Sequence, residues 1–224
     1  MTATQDDAES ADPAAVPRIV AGPHLPRMVD AALAALVEAG GLYHLAGSLV
    51  VVRGGVARAV SPGYLRELMA RAARWVRVYA GVDGPEESPA LPPREVVDAI
   101  HSRPSWDVPE LRGVVRAPTL RPDGTVLVEP GFDAGTGLYV APHGLAVRVG
   151  DTRIEAVAAL RTLRSVVEEM PWTCPADRSS WLATVLALCC RHAVDGPVPM
   201  LAISATAAGS GKSLLADVAA LIAK

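Results

Sequence analysis

Apolar residues recur every three or four positions between Pro26 and Ala39, with Met28, Ala32 and Leu36 on one side, which predicts an amphipathic helix stopped by Gly40-Gly41. Two short apolar runs, Leu42–Leu45 and Leu49–Val52, then predict strands. A third, Val56–Val60, lies just beyond Gly54-Gly55. Ser61-Pro62 has the form of a helix start, Ser as N-cap and Pro at the first helical position. From Pro62 to about Tyr79 a helical wheel separates two faces. Leu65, Leu68, Met69, Ala72, Ala73, Trp75 and Val76 share one side, and Arg66, Arg71, Arg74 and Arg77 share the other.

Further along, residues 81–93 are rich in Pro and acid and read as a linker. A short helix is expected from Pro93-Arg94 to about His101, followed by a loop through Trp106. Short apolar runs at Val114–Ala117, Thr125–Val128 and Leu138–Val140 surround the Asp123-Gly124 pair, a β-hairpin signal. Thr152 with Glu155 fits a capping box, and apolar spacing through Ile154, Val157, Leu160, Leu163 and Val166 carries a helix to Met170, where Pro171 ends it. A second helix is expected from about Pro175 to Ala193. After it come a buried-type strand, Val198–Ser204, a Gly-rich loop and a final helix.

These elements divide the chain into an acidic tail over 1–17, a small α/β module over 18–82, a linker over 83–92, a β-rich hairpin module over 93–150, a helical connector over 151–196, and the start of a further domain over 197–224. The expected fold class is therefore α/β: α+β accessory modules followed by a single strand-loop-helix unit.

Composition sharpens this in three ways. The 224 residues are half apolar with a mean hydropathy of +0.27. That is enough to build a core, but no apolar stretch approaches the ~20 residues of a membrane span, so no membrane partner is expected. The N-terminal segment holds four acids before Arg18 and lacks the basic and apolar parts of a secretory signal, and the three cysteines are odd in number, so a cytoplasmic location is expected and no disulfide framework. Finally, of 21 basic residues two are lysines, Lys212 and Lys224. An internal lysine in so arginine-rich a chain marks a position where a compact ammonium serves and a guanidinium does not.

Lys212 lies in Gly209-Ser210-Gly211-Lys212-Ser213, the core of a phosphate-binding loop between an apolar run and an amphipathic segment. Small residues let successive backbone N–H groups turn toward phosphate oxygens, and a helix N-terminus adds partial positive charge. Lys212 would neutralise the β and γ phosphates of ATP, and Ser213 would supply a hydroxyl ligand to Mg²⁺. The full pattern asks for Gly at 206, where this chain has Thr206. A β-branched residue tolerates positive φ poorly, so the entry to the loop must turn differently.

Other candidates carry less. The run from Arg53 to Arg77 holds six arginines against one acid, and the face formed by Arg66, Arg71, Arg74 and Arg77 could follow a nucleic-acid backbone or be a solvated surface. Arg112, Arg116 and Arg121 offer a weaker version of the same signal. Nine aromatic residues without clustering on strands argue against base-stacking modules. Cys174, Cys189, Cys190 and His192 lack zinc-ligand spacing, and the cysteines read as buried structural thiols. His24, His44, His101 and His143 are scattered, and Asp133 and Thr136 read as turn residues. No catalytic side chain is nominated.

Taken together, RGVVRAPTLRPDGTVLVEPGFDAGTGLYV, the helical ADRSSWLATVLALCCRHAVDGPVPMLAISA and AAGSGKSLLAD resemble the N-terminal half of helicase/primase-like ATPases carried by phages and integrative elements, over about Val29 to Lys224. The resemblance implies a P-loop NTPase domain beginning near 197 and ATP with Mg²⁺ held by Gly209, Gly211, Lys212 and Ser213, to which the loop reading itself adds Ser210. It also implies DNA as a partner, a homo-oligomeric ring once the ATPase domain is complete, and a role in replication of a mobile genetic element. The remaining ATPase motifs of such proteins would lie beyond Lys224, so this chain by itself is expected to be inactive. The alternative expectation is a non-catalytic DNA-binding or assembly module that keeps part of a nucleotide site. A small-molecule kinase is a third.

Overall fold

The computed structural model describes residues 16–82, 84–142, 149–207 and 209–223. Most of the acidic tail, together with Asp83, His143 and Lys224, lies outside the described residues. The architecture is mixed α/β, with small sheets and six α-helices among the described residues. The chain divides into two compact units, Met1–Leu111 and Arg112–Lys224.

In the first unit, β1 (Arg18–Val20) precedes α1 (Leu25–Ala39), whose apolar stripe buries Met28, Val29, Ala32, Leu33, Ala35 and Leu36. Gly40, at φ +69°, ends the helix in a backbone conformation that glycine tolerates without Cβ strain. The expected strands follow as an antiparallel meander, β2 (Tyr43–Leu45), β3 (Ser48–Arg53) and β4 (Val56–Ala59), with Val50 opposite both Tyr43 and Ala59. Helix α2 (Pro62–Ala72) starts where Ser61 Oγ accepts from the Tyr64 amide at 3.3 Å.

Here the structure corrects the sequence reading. The helix stops at Ala73, and Arg74–Gly81 is a strand, β5, paired in parallel with β1 and antiparallel with β6 (Gly84–Pro89). Trp75 and Val76 are buried in the strand, as they would be on the apolar face of a helix, so the wheel cannot separate the two. The β-branched and aromatic content of WVRVY decides for a strand once a partner is present. The stretch expected to be a linker, 83–92, contains that partner. Its prolines, Pro85 and Pro89, are tolerated because β6 is an edge strand.

Helix α3 (Arg94–His101) buries Val96, Val97 and Ile100 and packs on α1 and α2. It thus belongs to the same compact unit as the strands before it. Ile19, Leu36, Leu49, Leu65, Met69, Trp75 and Ile100 are members of one continuous core cluster. Fully burying an aliphatic or aromatic side chain of this kind contributes about 1.5–3 kcal/mol.

In the second unit, β7 (Gly113–Val115), β10 (Gly131–Asp133) and β11 (Leu138–Val140) form one sheet in the order β10-β11-β7, with β7 and β11 parallel. The Asp123-Gly124 turn closes a separate hairpin of β8 (Thr119–Leu120) and β9 (Val126–Leu127). Asp123 Oδ1 accepts from the Thr125 amide at 2.9 Å and from its hydroxyl at 2.7 Å. The capping box opens α4 (Arg153–Ser165) as expected, but that helix ends before Met170 and buries no residue. Helix α5 (Pro175–Cys189) follows, then a single 3-10 turn at Arg191–Ala193, and α6 (Lys212–Ile222) packs against α5.

The strand expected at 198–204 does not form. Residues 198–204 are coil without ladder partners among the described residues, and Met200 is 93% exposed. Pro197 and Pro199 remove two amide donors from the segment that would have to pair, which disfavours a ladder there.

Three of the four tryptophans perform one task that the sequence pattern does not reveal. The indole N–H of Trp75 donates to Met69 O at 3.0 Å, that of Trp106 to Ile100 O at 2.7 Å, and that of Trp172 to Val167 O at 3.0 Å. In each case the acceptor is a carbonyl in or just beyond the last turn of a helix, a short way upstream, which accepts a backbone N–H as well, so the indole adds a second bond there.

Candidate functional site

The loop 209–211 and the first turn of α6 sit on a small apolar foundation. Trp181, fully buried on α5, packs with Leu182, Val185, Leu215 and Ala219, and its indole N–H donates to Leu215 O at 3.1 Å. That bond ties α5 to the first turn of α6 and so fixes where the loop delivers the helix N-terminus.

Gly209 and Gly211 have φ of +77° and +84°, conformations that an L side chain rarely adopts. Gly211 is the N-cap of α6 and offers no side-chain acceptor to the amides that follow. The first turn also contains no acidic residue. The free amide dipoles of the first turn therefore meet no negative side chain of their own turn, which leaves their partial positive charge available to an anion.

Ser210 Oγ is buried and has no hydrogen-bond partner among the described residues. A buried hydroxyl left unsatisfied costs about 1–3 kcal/mol, so it marks a place where a polar ligand atom would be accommodated. Lys212 is half-buried, with no ion pair or hydrogen bond to its ammonium among the described residues, and Ser213 is exposed. Thr206 stays out of the left-handed region: among the described residues only Ala46 is a non-glycine with positive φ. The loop thus enters by a different turn from the one that Gly at 206 would allow, as the β-branched side chain requires.

The loop opens onto a cavity of about 310 Å³, formed by 170–173, 201–205 and 210–212 together with Asp177, Ser180, Trp181 and Leu215. This volume lies at the lower end of the range of small-molecule sites. Of the five expected ligand residues, Ser210, Gly211 and Lys212 line the cavity directly, while Gly209 and Ser213 flank them. For ATP with Mg²⁺ the residues fit in kind: glycines in the special conformations, an orphaned hydroxyl, one ammonium, and Ser213 on the first turn as the hydroxyl that would hold the metal alongside the phosphates.

The arginines are divided differently. Arg66 and Arg71 lie on α2, whereas Arg74 and Arg77 lie on β5, so the four do not form one cationic helix face. Arg66 Nε donates to Pro92 O at 2.8 Å, and Arg71 pairs with Glu67 at 2.9 Å. Arg18 pairs across the sheet with Glu87. That bond, with smaller contributions from the charges of Arg18 and Arg74, holds the Glu87 carboxyl below its ordinary range.

Arg121 is likewise occupied. Its Nη2 donates to Asp133 Oδ1 at 3.0 Å, while Thr136 Oγ1 donates to Asp133 Oδ2 at 2.6 Å. The Arg121 bond first and the Thr136 bond second lower the Asp133 pKa. Asp133 and Thr136 are thus a turn-building pair, as their positions suggest.

The thiols and histidines do not assemble. Among the described residues no group of three or more His, Cys, Asp or Glu side chains could hold a metal ion. Burial raises the Cys189 thiol, and burial more than the nearby Arg191 lowers His192. Against the expectation of buried thiols, Cys174 is exposed at the start of α5, where Asp177 Oδ2 accepts its amide hydrogen at 3.2 Å, and Cys189 and Cys190 are half-buried. His101 Nε2 lies 3.0 Å from Val60 O. No helix among the described residues is long and apolar enough to cross a membrane. No protein-family model, no curated protein and no solved structure matches the chain.

Proposed function

We propose that this chain binds a nucleoside triphosphate through the loop 209–213, with backbone amides around Gly209–Gly211 receiving phosphate oxygens, Lys212 neutralising the β and γ phosphates, and Ser213 holding Mg²⁺. The observation that carries the reading is the convergence on one cavity of the left-handed Gly211, an uncapped helix N-terminus, a hydroxyl at Ser210 and a lysine that both lack a partner among the described residues, with the left-handed Gly209 flanking them. The metal, when bound, supplies charge neutralisation between phosphates. The chain's own residues position them.

The wider setting of this reading comes from the resemblance to helicase/primase-like ATPases, by which the chain would be the N-terminal region of a nucleotide-binding, DNA-dependent ATPase of a mobile genetic element. The alternative, a DNA-binding or assembly module, rests on the arginines and is less favoured, because two of the four belong to a strand and two others are engaged by Pro92 and Glu67.

The test is binding of a fluorescent ATP analogue with and without Mg²⁺, to the chain and to its Lys212→Ala variant. The expected outcome is Mg²⁺-assisted binding that weakens at least ~10-fold on loss of the ammonium, the size of a charge-assisted contact. Equal binding by both proteins would refute the role of the loop. DNA binding that falls steeply with salt and ignores nucleotide would favour the alternative.

A further inference from the structure

The cavity beside the loop is not built for phosphate alone. Besides Ser210, Gly211 and Lys212 it is lined by Met170, Pro171, Trp172 and Asp177, from the connection between α4 and α5 and the first turn of α5. A bare polyphosphate gains nothing from an indole, a thioether or a proline ring, and a carboxylate repels it. A nucleoside gains from all of them, since its base presents a flat π-face and its sugar presents hydroxyl donors.

The indole is also fixed beforehand. Trp172 is half-buried, packs against the cluster around Trp181, and has its N–H committed to Val167 O at 3.0 Å. The ring therefore has little rotational freedom to lose when something stacks on it, which lowers the entropic cost of binding. Asp177 is fixed in the same way by the bond from the Cys174 amide to its Oδ2. Met170 touches the loop itself: a Cβ placed on Gly211 would stand 3.4 Å from its sulfur. The apolar wall and the phosphate cradle are thus adjoining parts of one site.

We infer that the segment from Met170 to Asp177 is the nucleoside-recognition wall of this site, with Trp172 as the stacking platform, so that the ligand is a nucleoside triphosphate in preference to a bare polyphosphate. This rests on the phosphate-loop reading above and adds specificity to it. Trp172 lies a whole helix upstream of Gly209, in a stretch that the loop motif does not include.

The test compares ATP with inorganic tripolyphosphate, by calorimetry in Mg²⁺ buffer, on the full chain and on Trp172→Leu and Lys212→Ala variants whose folding is checked by circular dichroism. The expected result is that the unaltered chain binds ATP at least ~10-fold more tightly than tripolyphosphate. Trp172→Leu should remove most of that preference while leaving tripolyphosphate affinity unchanged, the loss falling in the range of about 5- to 150-fold that a base–aromatic stack supplies. Equal affinity of the unaltered chain for the two ligands, both weakened by Lys212→Ala, would overturn the nucleoside wall and leave the phosphate loop standing. Binding of neither ligand, or binding indifferent to Lys212, would overturn both. The comparison of ligands on the unaltered chain decides the matter even if Trp172→Leu fails to fold.

Discussion

In the unit that ends at Leu111, helices α1, α2 and α3 and two sheets close around one apolar cluster that runs from Ile19 to Val108. In the unit that begins at Arg112, the buried apolar residues form smaller groups, one around Trp181 and one around Leu138, and α4 buries nothing while leaving Ile154 82% exposed. The first unit is shaped by burial. The second is shaped to a larger degree by polar turn chemistry, in the Asp123–Thr125, Arg121–Asp133–Thr136, Thr152–Glu155 and Cys174–Asp177 contacts. The candidate site belongs to the second, as expected where loops present ligand groups from a scaffold that need not be deeply packed.

This contrast can be broken most severely in the first unit. Leu65→Ala removes a side chain with no exposed surface from the larger cluster and is expected to cost about 2–5 kcal/mol in urea unfolding. A loss below about 1 kcal/mol would show instead that the cluster is loosely packed and closes around the missing atoms. In the second unit, Trp181→Phe keeps an aromatic ring but gives up the bond to Leu215 O, and a loss of about 1–2 kcal/mol is expected, together with weaker nucleotide binding because α6 loses its tether. Unchanged binding would detach the loop from that foundation.

Asp133→Asn sharpens the comparison through pH and has the smallest expected effect, about 1 kcal/mol at neutral pH. Because the native Asp133 pKa is lowered, its contribution is complete above the unfolded value of about 3.9 and is lost as pH falls through the lower native value. The stability difference between the unaltered chain and Asp133→Asn should therefore be constant near neutrality and shrink below about pH 4. A difference independent of pH would assign the effect to packing.

Much of the first unit is legible in the sequence because its signals are local: the stripe of α1, the Ser61-Pro62 start of α2 and the short runs of β2, β3 and β4. What is not legible depends on pairing between distant segments. Strand β1 exists through β5, and the Gly-Pro-Glu-Glu-Ser-Pro strand β6 has little intrinsic β propensity and is extended by the same neighbour. The break between α2 and β5 is hidden because Trp75 and Val76 are buried in the strand as they would be on the apolar face of a helix.

For the site, the glycines, Ser210, Lys212 and Ser213 are legible as a motif with known chemistry. The strand expected before them does not form, and Pro197 and Pro199 carry the warning. Trp172 and Asp177 escape a sequence reading as cavity residues, since they precede the loop by most or all of a helix and their relation to it is purely spatial.

That phosphate meets the backbone of 209–213 is tested most directly by a map of backbone amide chemical-shift changes as Mg²⁺-ATP is added to the isotope-labelled chain. The largest changes are expected at Gly209, Ser210, Gly211, Lys212 and Ser213, with smaller ones at Trp172. Changes confined to the arginines of α2 and β5, or none at all, would contradict it.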